Sequence, residues 1–184
     1  MKKLLQINIT ANWGSHGKIA EGIGQAAIKQ GWQSYIAYGR WANPSASNLF
    51  HIGNRWDEMR HGVASRLFDN HGLMSQKATK SLLQFVRNVN PDIVHLHNIH
   101  GYYLNYPLLF QYLRQHDIPV VWTLHDCWSF TGHCAHYEFI GCEKWKTHCA
   151  ECPQKGAYPK SLLLDRSYRN FEDRKSTRLN SSHW

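Results

Sequence analysis

The side chains best suited to chemistry in this sequence are histidines that close short apolar runs and a late group of four cysteines. The run Asp92-Ile93-Val94-His95-Leu96-His97-Asn98 ends on polar groups, with His100 just beyond, and Val120-Val121-Trp122-Thr123-Leu124 ends on His125-Asp126. On an extended strand, residues two apart share a face, so His95 and His97 have the spacing of an H-x-H metal pair. Rim or buried histidines bonded to their neighbours fit the same spacing. His125 can hydrogen-bond a hydroxyl or shuttle a proton, because imidazole titrates near neutrality. Gly14-Ser15-His16-Gly17 follows the first apolar run; glycines admit close backbone approach, and the helix start behind them offers free N–H groups to an anion such as a diphosphate. G-x-x-G lacks the third glycine and the later acid of a dinucleotide fingerprint, and a plain tight turn fits it equally well. Cys134-x7-Cys142-x6-Cys149-x2-Cys152 supplies four thiols within one small segment, sufficient for a tetrahedral zinc site without an open position. His133, His136 and His148 stand close enough to replace one thiol, and Cys127 stands apart as a small buried residue.

The elements that must position these groups follow from hydrophobic pattern. Lys3 to Thr10 reads as a buried strand, Lys18 to Gln30 as a helix stopped by Gly31, and Ser34 to Tyr38 as a second strand, which makes a βαβ unit. Asn43 to Asn54 reads as an exposed loop. Helices are expected near 56–68 and 75–89, a strand from Asp92 to Asn98, a helix from Tyr106 to His116 with Pro107 in its first turn, and a strand from Val120 to Asp126. Apolar strands alternating with helices predict an α/β fold: a Rossmann-like parallel sheet with helices on both faces. Ligands of such sheets gather at the carboxyl ends of the strands, where the three histidine-bearing segments fall.

Composition narrows the classes. Charged residues are only 18% of the chain, which excludes a disordered polyelectrolyte. The formal charge of +8 suggests polyanionic partners, yet the basic residues are scattered. That argues against nucleic acid and leaves an anionic membrane surface or a phosphorylated ligand. No apolar run approaches the length of a membrane span, and Gln6, Asn8 and Thr10 break the signal-like start. The expected location is the cytoplasm, where grouped cysteines more often hold metal than pair with each other.

Asn12-Trp13-Gly14-Ser15-His16-Gly17-Lys18-Ile19, the segment Pro91 to Tyr103, Val121 to Trp128, and the run from Thr131 through Cys152-Pro153 together resemble the N-terminal domain of family-4 glycosyltransferases of the GT-B fold, in a bacterial branch that builds surface polysaccharides. The likeness covers nearly all of residues 1–172, with a Cys-rich insertion at about 127–155. It implies a retaining enzyme of two Rossmann-like lobes with the active site between them, needing a nucleotide-sugar donor and no catalytic metal. This lobe would hold the glycan or lipid-linked acceptor. The resemblance places Gly14, Ser15, His16, Gly17 and Asp126 against the donor, His125 beside the transferred sugar as the catalytic contact, and His97, Asn98, His100 and Tyr102 toward the acceptor. Such an enzyme would work at the inner face of the plasma membrane. The second lobe, with its paired-glutamate segment and base-reading loop, has no counterpart in this sequence, so the chain alone is expected to be inactive.

From Asp173 the sequence Asp-Arg-Lys-Ser-Thr-Arg-Leu-Asn-Ser-Ser-His matches the in-frame translation of a common short-read sequencing adapter. Residues 173–184 are therefore expected to be non-native, and the natural chain to continue past Glu172 with a charge nearer +6. Two other functions compete: a metal-dependent hydrolase using His95, His97 and His125, and a zinc-stabilised nucleic-acid-binding module.

Overall fold

The computed structural model describes residues 1–179; the last five residues of the segment set aside at 173–184 lie outside the described part. Five parallel strands form one sheet in the order β3-β2-β1-β4-β5. They are β1 (Lys3–Ala11), β2 (Gln33–Ala42), β3 (Asn48–His51), β4 (Ile93–Leu96) and β5 (Val120–Trp122). The helices are α1 (Gly14–Lys29), α2 (Arg55–Phe68), α3 (Gln76–Val89), α4 (Tyr106–Gln115) and α5 (Ser167–Leu179).

Strand β1 is central and buried on both faces, and its alternation assigns each face to different helices. Leu5, Ile7 and Ile9 join the main core with Leu82 and Val86 of α3 and Leu109 and Leu113 of α4. Gln6, Asn8 and Thr10 point the other way, toward α1, where the Gln6 amide donates to the Ala20 carbonyl at 2.8 Å. The expected helices on both faces are present. One face is unusually polar for a buried strand, so each of those side chains needs a partner.

Local chemistry explains the helix boundaries. Asn54 caps α2 by accepting from Trp56 and Asp57 N–H, and Asn105 caps α4 by accepting from Leu108 N–H at 3.1 Å. Left-handed Asn90 ends α3.

Three expectations are corrected. The 43–54 segment is not all loop, because Asn48–His51 pairs with β2 as an edge strand. Helix α1 starts at Gly14 rather than Lys18, so the glycine segment is its first turn. The last strand stops at Trp122, which leaves His125 and Asp126 in the bend after it. Helix α5 runs without a break across 172/173, and Arg174 is buried: it donates to the Trp128 and Thr131 carbonyls at 2.9 Å, its guanidinium 3.9 Å from the Trp128 ring centre.

Candidate functional site

At the carboxyl edge of the sheet, β1, β4 and β5 deliver their loops side by side. Asn8 in β1 accepts from Asn98 N–H at 3.3 Å, and the Trp122 indole donates to the His97 carbonyl at 3.0 Å. These cross-strand bonds fix the turn after β4, and one pocket there is lined by His97, Asn98, His100, His125 and Asp126. Five of the residues expected at the site therefore meet in one place, although they come from two different loops.

The imidazoles form a column. His95 and His97 stack with ring centres 4.2 Å apart, and His97 stacks on His125 at 5.3 Å. His16, from the first turn of α1, lies 5.8 Å from His125. His95 bonds Thr123 through Nε2 at 2.8 Å. His97 is engaged at both nitrogens, by His125 and by Gln6, each at 3.0 Å. A metal ligand needs a free lone pair, so the geometry speaks against the H-x-H metal pair. Among the described residues no group of three His, Cys, Asp or Glu side chains is set to hold a metal ion. Burial, then neighbouring His95, His125 and His16, push His97 down to about 3, and burial also lowers His95, His125 and His16. The column is neutral at pH 7.

Asp126 faces the opposite balance. Burial would raise its pKa, but the 2.6 Å bond from His100 Nε2, with the Trp128 N–H, holds it below the usual carboxylate range. It keeps a negative charge beside the pocket. His100 Nδ1 meets the Tyr158 hydroxyl at 3.2 Å. Tyr102 does not line the pocket. Its left-handed backbone (φ 72°) packs it against His71 and His61, with the Arg40 guanidinium 5.5 Å from its ring centre.

The first turn of α1 has no side-chain cap and no acidic residue, so its N–H groups are open to an anion. Its glycines serve different ends. Gly14 is left-handed (φ 65°), whereas a Cβ on Gly17 would sit 2.6 Å from Thr10 Oγ1. Gly17 is thus required by packing of α1 on β1, not by a ligand's approach alone.

Sequence reasoning missed Gln6, Asn8, His71 and Tyr158. Gln6 and Asn8 are polar residues inside an apolar strand, a signal that was present and read only as evidence against a leader peptide. His71 touches His100, Tyr102, Trp128 and Tyr158 by ring contacts, and nothing in its local sequence marks it.

The Cys-rich segment lies beyond this site. Cys134, Cys142, Cys149 and Cys152 are free thiols and all line a second pocket, together with His133. His133 is bonded at Nδ1 to Asp69 at 2.8 Å, both side chains buried, while among the described residues its Nε2 has no hydrogen-bond partner. Cys127 is buried and apart as expected, its thiol donating to Glu138 at 3.2 Å; burial and then this carboxylate push it up to about 12.

The family model for Glycosyltransferase Family 4 matches residues 18–174. The chain belongs to glycosyltransferase family 4. It is also 32% identical over 177 residues to the Escherichia coli K12 protein described as "Putative colanic acid biosynthesis glycosyl transferase WcaC". The match takes in 90% of this chain and 42% of that relative, so this family-4 chain spans less than half the relative's length.

Proposed function

We propose that the chain is the acceptor-side lobe of a retaining GT-B glycosyltransferase, which moves a sugar from a nucleotide-sugar donor to a glycan or lipid-linked acceptor in cell-surface polysaccharide biosynthesis. The observation that carries the reading is an uncapped helix start whose His16 ring lies 5.8 Å from His125, beside a pocket lined by imidazoles and the Asp126 carboxylate. Leaving-group charge on a diphosphate would be met by the N–H groups of residues 15–17, without a catalytic metal ion. His125 would contact the transferred sugar, with Asp126 nearby on the donor side. His97, Asn98 and His100 would border the acceptor, and Tyr102 would act behind them through packing. Family membership favours transfer over hydrolysis, and the relative's name supports a polysaccharide product. No nucleic-acid partner is proposed. The test is to supply the full-length enzyme with a panel of nucleotide sugars and lipid-linked acceptors. Release of nucleoside diphosphate with retained anomeric configuration is expected; inversion, or hydrolysis without transfer, would overturn the reading.

A structural zinc is proposed for Cys134, Cys142, Cys149 and Cys152. The support is the pocket that all four thiols and His133 line; as placed, no three of these side chains are grouped closely enough to hold a metal ion, so binding would have to draw the thiols together. A bound zinc would hold the thiols as thiolates and take no part in sugar transfer.

Peripheral attachment to an anionic lipid surface, placing the enzyme at the cytoplasmic face of the membrane, is proposed for α2. Trp56, Met59 and Val63 are exposed at 69%, 57% and 51%, on one side of that helix, with Arg55, Arg60 and Arg66 exposed beside them. Among the described residues no helix is long and apolar enough to cross a membrane.

A further inference from the structure

The hydrogen bonds beneath His125 form a chain whose direction can be worked out from its buried end. Gln6 is wholly buried, and its amide nitrogen donates to the Ala20 carbonyl at 2.8 Å. Flipping that amide would set two oxygens against each other, so the orientation is fixed and Oε1 faces His97. An oxygen can only accept, which places a proton on His97 Nε2, 3.0 Å away. His97 is buried between two other imidazoles, a setting that disfavours a cation, and a neutral ring carries one proton. Its Nδ1 is then a lone pair. The 3.0 Å contact from His97 Nδ1 to His125 Nε2 therefore needs its proton on His125.

We propose that Gln6 and His97 are positioning residues that hold His125 in its Nε2–H tautomer, so that its Nδ1 serves the pocket as a hydrogen-bond acceptor for a sugar hydroxyl. An imidazole in the other tautomer would offer an N–H there and would favour a carbonyl or phosphate oxygen instead. Three side chains, one from β1 and two from the loops after β4 and β5, thus convert one backbone carbonyl of α1 into a defined polarity at the pocket. His95 steadies this arrangement by covering one face of His97, and is itself anchored by Thr123. What the accepted hydroxyl belongs to rests on the glycosyltransferase reading; the tautomer does not.

The test is long-range ¹H–¹⁵N correlation on the chain labelled at histidine, at neutral pH and without ligand. His97 and His125 should both show a protonated Nε2 and a bare Nδ1. A His125 ring protonated at Nδ1, or one exchanging evenly between tautomers, would overturn the proposal whatever the enzyme transfers. Gln6→Met removes the acceptor while keeping length, and should lose the single-tautomer signature at His125, two hydrogen bonds away through His97. Gln6→Glu, which protonated can both donate to Ala20 and accept from His97, should restore it. An unchanged His125 signature in folded Gln6→Met would also overturn the relay. Should Gln6→Met fail to fold, the unmodified chain's spectrum still decides.

Discussion

The histidine column and the cysteine segment hold their groups by different physics. His95, His97 and His125 sit on or just past strands whose register with their neighbours is set by backbone bonding, from Leu4–Ile93 to Leu96–Trp122, and His16 joins them from the first turn of α1. Each ring then bonds or stacks on the next. From Cys127 to Arg166 regular structure is limited to two single-turn 3-10 helices, Glu138–Ile140 and Lys144–Lys146. Lys144 donates to the Ala150 and Glu151 carbonyls and Asp165 accepts from Cys152 N–H, which closes turns but builds no apolar core. A chemical group kept by a sheet needs nothing further. Thiols carried on loops need an agent to draw them together, and zinc is the agent proposed for the four that line this pocket.

The largest effect should come from removing it. Cys149→Ser with Cys152→Ser is expected to abolish about one zinc per chain by elemental analysis, and to open residues 127–166 to hydrogen exchange while β1 stays protected, since a structural zinc can contribute about 10 kcal/mol of apparent free energy. Four thiols alkylated freely in the native, metal-free chain would erase the contrast.

Acid should single out the imidazoles. Burial lowers His61 to about 4 and His97 to about 3, so the unfolded chain binds more protons than the folded one below about pH 6.5. Stability is complete above that pH and falls as these folded values are approached, by about 1.4 kcal/mol per pH unit for each histidine. Denaturant midpoints measured from pH 7 to 4.5 should decline accordingly; His61→Gln, if it folds, should flatten the slope. A midpoint constant across that range would mean the rings are charged or solvated.

In the full-length enzyme, His125→Ala should lower turnover by about 10²–10³ with donor affinity changed much less, because the contact matters most as the glycosidic bond breaks. Near-normal turnover would leave His125 a structural group. Gly17→Val should act through the fold, costing about 1–3 kcal/mol as its side chain meets Thr10. A thermal midpoint equal to that of the parent would show that the α1–β1 contact gives way easily. The smallest effect lies outside both regions: Trp56→Ser with Met59→Ser should weaken binding to vesicles containing phosphatidylglycerol by roughly tenfold or more and leave folding intact. Unaltered binding would remove α2 from the membrane reading.

Much of this contrast was legible in the residues. Apolar runs of four to eight gave the parallel sheet, because strands covered on both faces need no polar alternation. The histidines ending those runs fell at the carboxyl edge for the same reason. The edge strand at Asn48–His51 escaped notice, since its burial is slight and its order comes from pairing with β2 rather than from its own composition. Helix α5 was hidden too, since its buried residues Ser167, Asn170, Phe171 and Arg174 straddle the point from which residues 173–184 read as non-native. Gln6 and His71 act only through contacts distant in sequence, which periodicity cannot report. That the four cysteines would border one pocket was legible from spacing; the Asp69–His133 pair was not, since the C-terminal end of α2 supplies the carboxylate.

The central position of β1 also bears on how the chain reaches this structure. Leu4 meets Ser34 on one side and Ile93 on the other, so half of its ladder closes early and half must wait for a distant segment. Loop-closure entropy makes the β1–α1–β2 unit the first to assemble and the β4 pairing a later step. Until that step Leu5 and Ile7 have no α3 or α4 above them, and the column cannot exist because His97 has not met Gln6. The pocket's chemistry is therefore a product of the slowest contact in the sheet, and a nascent chain would form the uncapped start of α1 well before His97 and His125 come together.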